Sequence, residues 1–464
     1  MSLVGLELIF QIPKIKCKKF SMKKKKETKS EPQKNKPQKK PTVCVIGMGY
    51  VGLPLAAIAA NKGYEVYGYD TDEAKLELIR KGIAPFKEEF LEKLLPKMKN
   101  KINVFSDAPD LMKKCDIHII AVPTPVDEKY YPDLGPVISA SKIVAKNMKK
   151  GALVILESTV NPGVSEEIVK PIFEKAGFVI GETVFIAHCP ERVNPGDPVW
   201  NVSNIPRVVG SFDEVGLERA KSFYEDIVDA KIMPMRSIRE AEAVKITENS
   251  FRDINIAFVN ELARSFERMN IDVKNVIEGA STKPFAFMAH FPSCGVGGHC
   301  IPVDPYYLIE KAKENDFDHI FLRAARSINN SMPIYTIEIL QDALNLIEKS
   351  VKGTKIGLLG MSYKANVSDL RESPSFKIIK ALKKHNGHAE IFDPYAPNYS
   401  TVSSLEELLE KSEALIIATN HKEFVDIPVE LFVKHGIRVI VDGKNCLNKD
   451  EIEKNGIIYK GIGR

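Results

Sequence analysis

A chain of 464 residues and 51.8 kDa has room for about two to four domains, each able to bury a core. Its composition, 44% hydrophobic and 27% charged, excludes a wholly disordered chain, a fibre and a multispan membrane protein. The net charge of +5 belongs to one end, because residues 1–41 hold 13 lysines against Glu7, Glu27 and Glu31, a local +10 that leaves residues 42–464 at −5.

That segment, with its Lys23–Lys26 run and Pro32, Pro37 and Pro41, reads as a disordered basic tail over 1–41. A nucleic-acid-binding protein needs basic residues in its folded part, and here the body is acidic, so an enzyme reading comes first. No apolar run is long enough to span a bilayer. Leu3–Ile12 lacks the preceding basic residue and the cleavage site of a signal peptide. Seven scattered cysteines (Cys17, Cys44, Cys115, Cys189, Cys294, Cys300, Cys446) without a Cys-x-x-Cys pair point to free thiols in a reducing cytoplasm.

The first organised segment is a β-branched run, Thr42–Gly47, leading into Gly47-Met48-Gly49-Tyr50-Val51-Gly52. A helix-favouring stretch, Leu53–Asn61, and a second strand, Tyr64–Asp70, complete a βαβ unit, the context a G-x-G-x-x-G turn requires. Gly47 permits the tight turn, Gly49 close approach of a pyrophosphate, and Gly52 close packing of helix on strand. Tyr50 and Val51 lie in the same turn. Asp70, at the end of the second strand, suits ribose hydroxyls and repels a 2′-phosphate, so the expected cofactor is NAD and not NADP. Lys75 is near enough to reach the same region. Further strands follow at Asp116–Val122, Leu153–Leu156 and Val184–Ala187, ending in the loops Pro123-Thr124-Pro125, Glu157-Ser158-Thr159 and Cys189-Pro190-Glu191-Arg192. In a parallel sheet such loops face one crevice.

Glu240–Asn270 contains neither Pro nor Gly, and Val244, Phe251, Ile254, Phe258, Leu262 and Phe266 recur at helical spacing, predicting a long buried helix of an interdomain or intersubunit core. Lys245 and Asn249 stand four apart on one face of it; snorkelling and local capping are their ordinary roles there. A glycine-rich loop then holds Gly295-Val296-Gly297-Gly298-His299-Cys300-Ile301-Pro302-Val303-Asp304. Its glycines admit a ligand, and Pro302 suits a first helical turn, which would set Cys300 at or just before a helix N-terminus with a lowered thiol pKa. The spacing of His290, Cys294, His299 and Cys300 matches no recurrent zinc pattern, and no metal is expected. From Thr354 the pattern restarts: strands at Lys355–Leu359, Ala389–Phe392, Ala414–Ala418 and Arg438–Val441, and a helix at Ser375–Lys384, predict a second Rossmann-like domain without the full fingerprint.

Over 42–464 the chain resembles the UDP-glucose/GDP-mannose dehydrogenase family. The resemblance rests on GMGYVG (47–52), PTP (123–125), STV-x-PG (158–163), PER-x-x-PG (190–196), K-x-x-x-N (245–249), GVGGHC-x-P-x-D (295–304) and GMSYKANVSDLRESP (360–374), in this order. It implies an α/β protein: an NAD-binding Rossmann domain over 42–213, a central helical, dimer-forming region over 214–335 and a UDP-binding Rossmann-like domain over 336–464. It implies oxidation of a UDP-sugar C6 alcohol to a carboxylate by four electrons, with two NAD molecules used in succession.

Within that resemblance Cys300 is the nucleophile, passing from thiohemiacetal to thioester. Lys245 and Asn249 stabilise oxyanions, while Asp304, Glu191 and Thr159 handle water and protons. Thr124, Thr159 and Arg371 join the cofactor set, with Arg371 on a phosphate of the same or the opposite subunit. Arg192, Gly297 and Lys364 join Glu191, Lys245 and Asn249 at the substrate. Arg192 and His299 replace the Phe and Ser of many UDP-glucose enzymes, and Lys283-Pro284-Phe285 and GGHCIPVDPYYL look more like dehydrogenases of UDP-N-acetylhexosamines, the expected substrate. UDP-glucose with the same mechanism is the nearest alternative. A β-hydroxyacid dehydrogenase would leave Cys300 and the second domain unexplained, and a non-catalytic nucleotide-sugar binder would need neither Cys300 nor Lys245. The resemblance implies a soluble cytoplasmic homodimer.

Overall fold

The computed structural model describes residues 39–86, 88–107, 109–127, 131–193 and 199–464; residues 1–38 of the expected basic tail lie outside the described residues. The first sheet comprises β1 (Thr42–Ile46), β2 (Glu65–Tyr69), β3 (Ile102–Phe105), β4 (Ile117–Ile120), β5 (Ala152–Leu156), β6 (Val184–His188), β7 (Arg207–Ser211) and β8 (Ile232–Pro234). Their spatial order is β3-β2-β1-β4-β5-β6-β7-β8. Strands β1 to β6 pair in parallel, and β7 turns antiparallel against β6.

Side chains alternate across this sheet into two apolar layers. Val43 and Val45 face one, with Leu53 and Leu55 of the helix Gly52–Asn61; Cys44 and Ile46 face the other, with Val137 and Val144 of the helix Gly135–Asn147. Both faces are apolar because helices cover both, which is why these strands read as continuous hydrophobic runs. The strand order reverses between β1 and β4, opening a crevice at the shared carboxyl edge.

The second sheet repeats this plan with β9 (Ile356–Leu359), β10 (Ala389–Phe392), β11 (Ala414–Ile417), β12 (Val439–Asp442) and β13 (Ile458–Gly461), all parallel, in the order β10-β9-β11-β12-β13. Its reversal falls between β9 and β11. Gly360 follows β9 at φ +98°, as Gly47 follows β1 at φ +95°. Asp393 accepts from the Met361 N–H at 2.6 Å, as Asp70 accepts from the Met48 N–H at 2.8 Å. One turn chemistry thus serves both domains.

Between the sheets, Ser237 accepts the Glu240 N–H and starts a helix of 31 residues, Ile238–Arg268. The face it buries differs from the expected one. Ala241, Ile246, Ala257 and Ala263 are buried, whereas Phe251 and Phe258 are 46% and 53% exposed. Small side chains let the helix lie close to Ile320–Asn345, where a polar seam joins Asp253 to Arg326 at 2.6 Å and Asn260 to Asn329 at 2.9 Å. Phe251 and Phe258 are left facing outward, while Leu262 and Phe266 of the same stripe pack half-buried against the core of the second sheet.

Candidate active site

The glycine turn after β1 closes only with glycine where backbone meets backbone. A Cβ on Gly52 would stand 1.9 Å from the Gly47 carbonyl oxygen, and one on Gly47 would stand 2.5 Å from that of Ala121. At Gly49 nothing lies within 4 Å of the Cβ position, so the backbone there borders open space at the start of the helix Gly52–Asn61. That cradle fits a dinucleotide pyrophosphate.

Asp70 fastens the turn. Its carboxylate accepts from the N–H groups of Met48 at 2.8 Å and Asp72 at 3.0 Å and from the Lys75 ammonium at 2.9 Å. Burial opposes its ionisation, but Lys75 and the two backbone donors outweigh it and hold its pKa below the ordinary value. A carboxylate takes about four donors, so room remains for a ribose hydroxyl. The anion repels a 2′-phosphate, and kcat/KM for NAD should exceed that for NADP by about a hundredfold, ~2.7 kcal/mol at the transition state. Equal values for the two cofactors would overturn this role for Asp70.

A cavity of about 650 Å³ lies where the carboxyl edge of the first sheet meets the loop 363–371 of the second. Gly49, Tyr50, Val51, Thr124, Thr159, Glu191, Lys245, Cys300 and Arg371 all line it. Gly47, Gly52, Asp70 and Lys75 frame the glycine turn behind this lining. Asn249 and Asp304 stand together, the Asn249 amide donating to Asp304 Oδ2 at 2.6 Å. Burial pushes the Asp304 carboxyl up to about 6, against the pull of Lys245 and Asn249. Arg371 stacks over the Tyr50 ring at 5.8 Å and is paired with Asp369, so it reaches the glycine turn of its own chain.

The lowered thiol pKa expected of Cys300 needs correction, and Arg192, Gly297 and Lys364 of the expected substrate residues stand off this lining among the described residues. The helix after the cysteine begins at Asp304, with Pro305 in its first turn, and the Cys300 carbonyl oxygen accepts the Asp304 N–H at 2.8 Å. Cys300 thus stands one turn before the helix, and burial raises its thiol pKa, against the lowered one expected, while Lys245 pulls the other way. Arg192 is absent from the cavity lining among the described residues; its guanidinium donates to Glu248 and, at 3.0 Å, to the Pro206 carbonyl. At Gly297 a Cβ would stand 2.6 Å from the Cβ of Tyr363, so the loop packs closely on the second domain there. Lys364 is likewise not among the described lining residues, although Tyr363 is.

The sequence reading missed the floor of the cavity. Arg207, on β7 and 1% exposed, bridges two buried carboxylates, Glu157 at 3.0 Å and Glu191 at 2.8 Å. Tyr224 donates its hydroxyl to Glu157 Oε1 at 2.5 Å. Glu191 Oε1 accepts the N–H groups of Arg192 at 2.6 Å and Val193 at 2.8 Å. The Glu191 loop is evident in the sequence, but no motif announces Arg207 or Tyr224. His299, also in the lining, is held to about 4 by burial and by the charges of Arg371 and Lys245, and is a neutral imidazole near pH 7. No helix is long and apolar enough to cross a membrane among the described residues.

Comparison with known proteins follows the same three-part layout. The chain matches the UDP-glucose/GDP-mannose dehydrogenase family in its NAD binding domain over 41–228, its central domain over 239–331 and its UDP binding domain over 357–449. It is 35% identical over 427 residues to a UDP-N-acetyl-D-mannosamine dehydrogenase of Pyrococcus horikoshii, covering 91% of this chain and 99% of that one. It is 37% identical over 425 residues to a UDP-N-acetyl-D-glucosamine 6-dehydrogenase of Pseudomonas aeruginosa, covering 88% and 98%. The solved structure of a UDP-D-ManNAc dehydrogenase from Pyrococcus horikoshii superposes with a TM-score of 0.86 at 34% identity, over 91% of this chain and 99% of that one. With its glycine turn, its cavity-lining cysteine and lysine and its two Rossmann-like sheets in this arrangement, the chain belongs to the UDP-glucose/GDP-mannose dehydrogenase family.

Proposed function

We propose that this chain is an NAD-dependent UDP-sugar 6-dehydrogenase that oxidises the C6 alcohol of a UDP-N-acetylhexosamine to the carboxylate. The observation that carries this reading is one cavity lined by the glycine turn, by Lys245 and Cys300, and by the loop 363–371 of the second sheet. The substrate class rests on the relatives, both acting on UDP-N-acetylhexosamines by name. It no longer rests on Arg192, whose guanidinium is engaged by Glu248.

Bound NAD would supply the hydride acceptor for each of two oxidations at the sugar carbon. Gly49, Tyr50, Val51, Thr124, Thr159 and Arg371 would hold it, with Asp70 and Lys75 at the ribose. Cys300 Sγ adds to the C6 aldehyde as a thiohemiacetal, and water later cleaves the thioester on the same sulfur into carboxylate and thiol. A raised thiol pKa does not bar the addition, since the S–H proton ends on the carbonyl oxygen and no net charge forms. Lys245 supplies the positive charge at that oxygen, with Asn249 beside it. Glu191, Asp304 and Thr159 handle water and protons, and Lys364 and Gly297, on two different loops, would bind the substrate.

A homodimer would cover the outward-facing Phe251 and Phe258, together with Ile320 and Phe321 at 72% and 69% exposure. The free thiols of Cys44, Cys115, Cys189, Cys294, Cys300 and Cys446 support a cytoplasmic location. The test is a panel of UDP-sugars with NAD, counting NADH per sugar consumed. Two NADH per sugar and a higher kcat/KM for UDP-N-acetylglucosamine or UDP-N-acetylmannosamine than for UDP-glucose are expected. A preference for UDP-glucose would refute the substrate and spare the chemistry; one NADH per sugar would refute the four-electron reaction.

A further inference from the structure

Glu157 and Glu191 arrive at the cavity floor from different strands, and one guanidinium stands between them. Arg207 Nη1 lies 3.0 Å from Glu157 Oε1, and its Nη2 lies 2.8 Å from Glu191 Oε2. Both carboxylates line the cavity that holds Cys300. The two differ in how fully they are satisfied. Glu191 has donors on both oxygens, Arg207 on one and two backbone N–H groups on the other. Glu157 has Arg207 and Tyr224 on Oε1, while its Oε2 is buried with no hydrogen-bond partner. A buried ion cluster of one cation and two carboxylates is one negative charge in excess, and the unsatisfied oxygen marks the member that carries a proton most readily.

We propose that Glu157 is a positioning residue for the dehydrogenase reaction: by sharing Arg207 with Glu191, its protonation sets how strongly the guanidinium stabilises the Glu191 anion. The proposal rests on the function given above. The groups facing Glu157 are Arg207 on β7, Glu191 and Cys189 after β6, Tyr224 on the helix Glu214–Ile227 and Lys245 on the helix Ile238–Arg268. Burial pushes the Glu157 carboxyl up to about 7, with Glu191 adding to the rise and Arg207, Tyr224 and Lys245 opposing it. With Glu157 neutral, Arg207 serves Glu191 alone. As pH rises and Glu157 loses its proton to the cavity, the guanidinium faces two anions, and Glu191 becomes the better acceptor for a proton from the attacking water. That proton adds to Glu191 as the water oxygen bonds to the thioester carbon, so charge and atoms balance.

The wild-type rate of thioester hydrolysis should therefore rise about threefold to tenfold through neutral pH as Glu157 ionises. Glu157→Gln, which cannot ionise, should lose this rise. Tyr224→Phe removes a donor to Glu157 and should move the inflection to higher pH, giving a second variant if the first fails to fold. A merely structural role would scale all pH points equally, and that result in Glu157→Gln, or an unmoved inflection in Tyr224→Phe, would overturn the proposal. Infrared titration without substrate separates this from the function itself. A carboxylic-acid band that titrates near neutrality and is missing from Glu157→Gln is expected, and its absence from the wild type refutes the shared proton. Should the band be present while the wild type forms no NADH from any UDP-sugar, the function falls and the kinetic role of Glu157 falls with it.

Discussion

Replacing Lys245 with methionine should lower kcat by about a hundredfold to a thousandfold, the usual cost of removing one donor aimed at a developing oxyanion. Methionine keeps the length and apolar stem of lysine and removes the charge. That charge reaches several groups in the cavity. It pulls down the Cys300 thiol against the burial that raises it, and it does the same for the Asp304 carboxyl. Without Lys245 both groups hold their protons more tightly, so alkylation of Cys300 by iodoacetamide should shift to higher pH in the variant. Folding should be little affected, because the Lys245 backbone lies in mid-helix and methionine is a comparable helix former. A Lys245→Met enzyme with near wild-type kcat and an unmoved alkylation profile would mean that this lysine only covers apolar surface.

What was legible in the sequence is what neighbours in the chain decide. The turn from Gly47 to Gly52 depends on a strand, three glycines and a helix within one βαβ unit, and the structure builds it there. The second domain was legible as strands, yet its turn at Gly360 has no fingerprint; only the contact of Asp393 with the Met361 N–H reveals the likeness to the first. Residues that meet through the sheet were invisible. Glu157, Arg207 and Tyr224 come from β5's end, β7 and the following helix, and nothing in their spacing points to one cluster. Arg192 adjoins Glu191 in the chain, yet its side chain runs to Glu248. In the apolar stripe on Ile238–Arg268, Leu262 and Phe266 pack against the second core, but Phe251 and Phe258 stay outside because alanines and a polar seam take the inner face. Periodicity identifies an apolar face but not the partner that covers it.

The position of Cys300 makes a sharper demand on the mechanism. Had the thiol sat at a helix N-terminus, a lowered pKa would have explained its reactivity without any partner. The helix instead starts at Asp304, and burial raises the thiol, with Lys245 the leading counterweight. Reactivity must then come from the cavity, chiefly from the charge that receives the oxyanion. Cys300→Ser tests whether sulfur is the atom involved. Serine preserves shape and binding, but its hydroxyl ionises far less readily than a thiol and is a much poorer leaving group. Steady-state turnover should fall by about three orders of magnitude or more, whereas UDP-sugar affinity should stay within about threefold, because the substitution removes no charge and little volume. Any ester formed on the introduced hydroxyl would hydrolyse slowly and appear in intact-protein mass spectra as an added oxidised UDP-sugar. A Cys300→Ser enzyme that still yields two NADH per sugar at near wild-type rate would make the cysteine a structural residue and remove the covalent route.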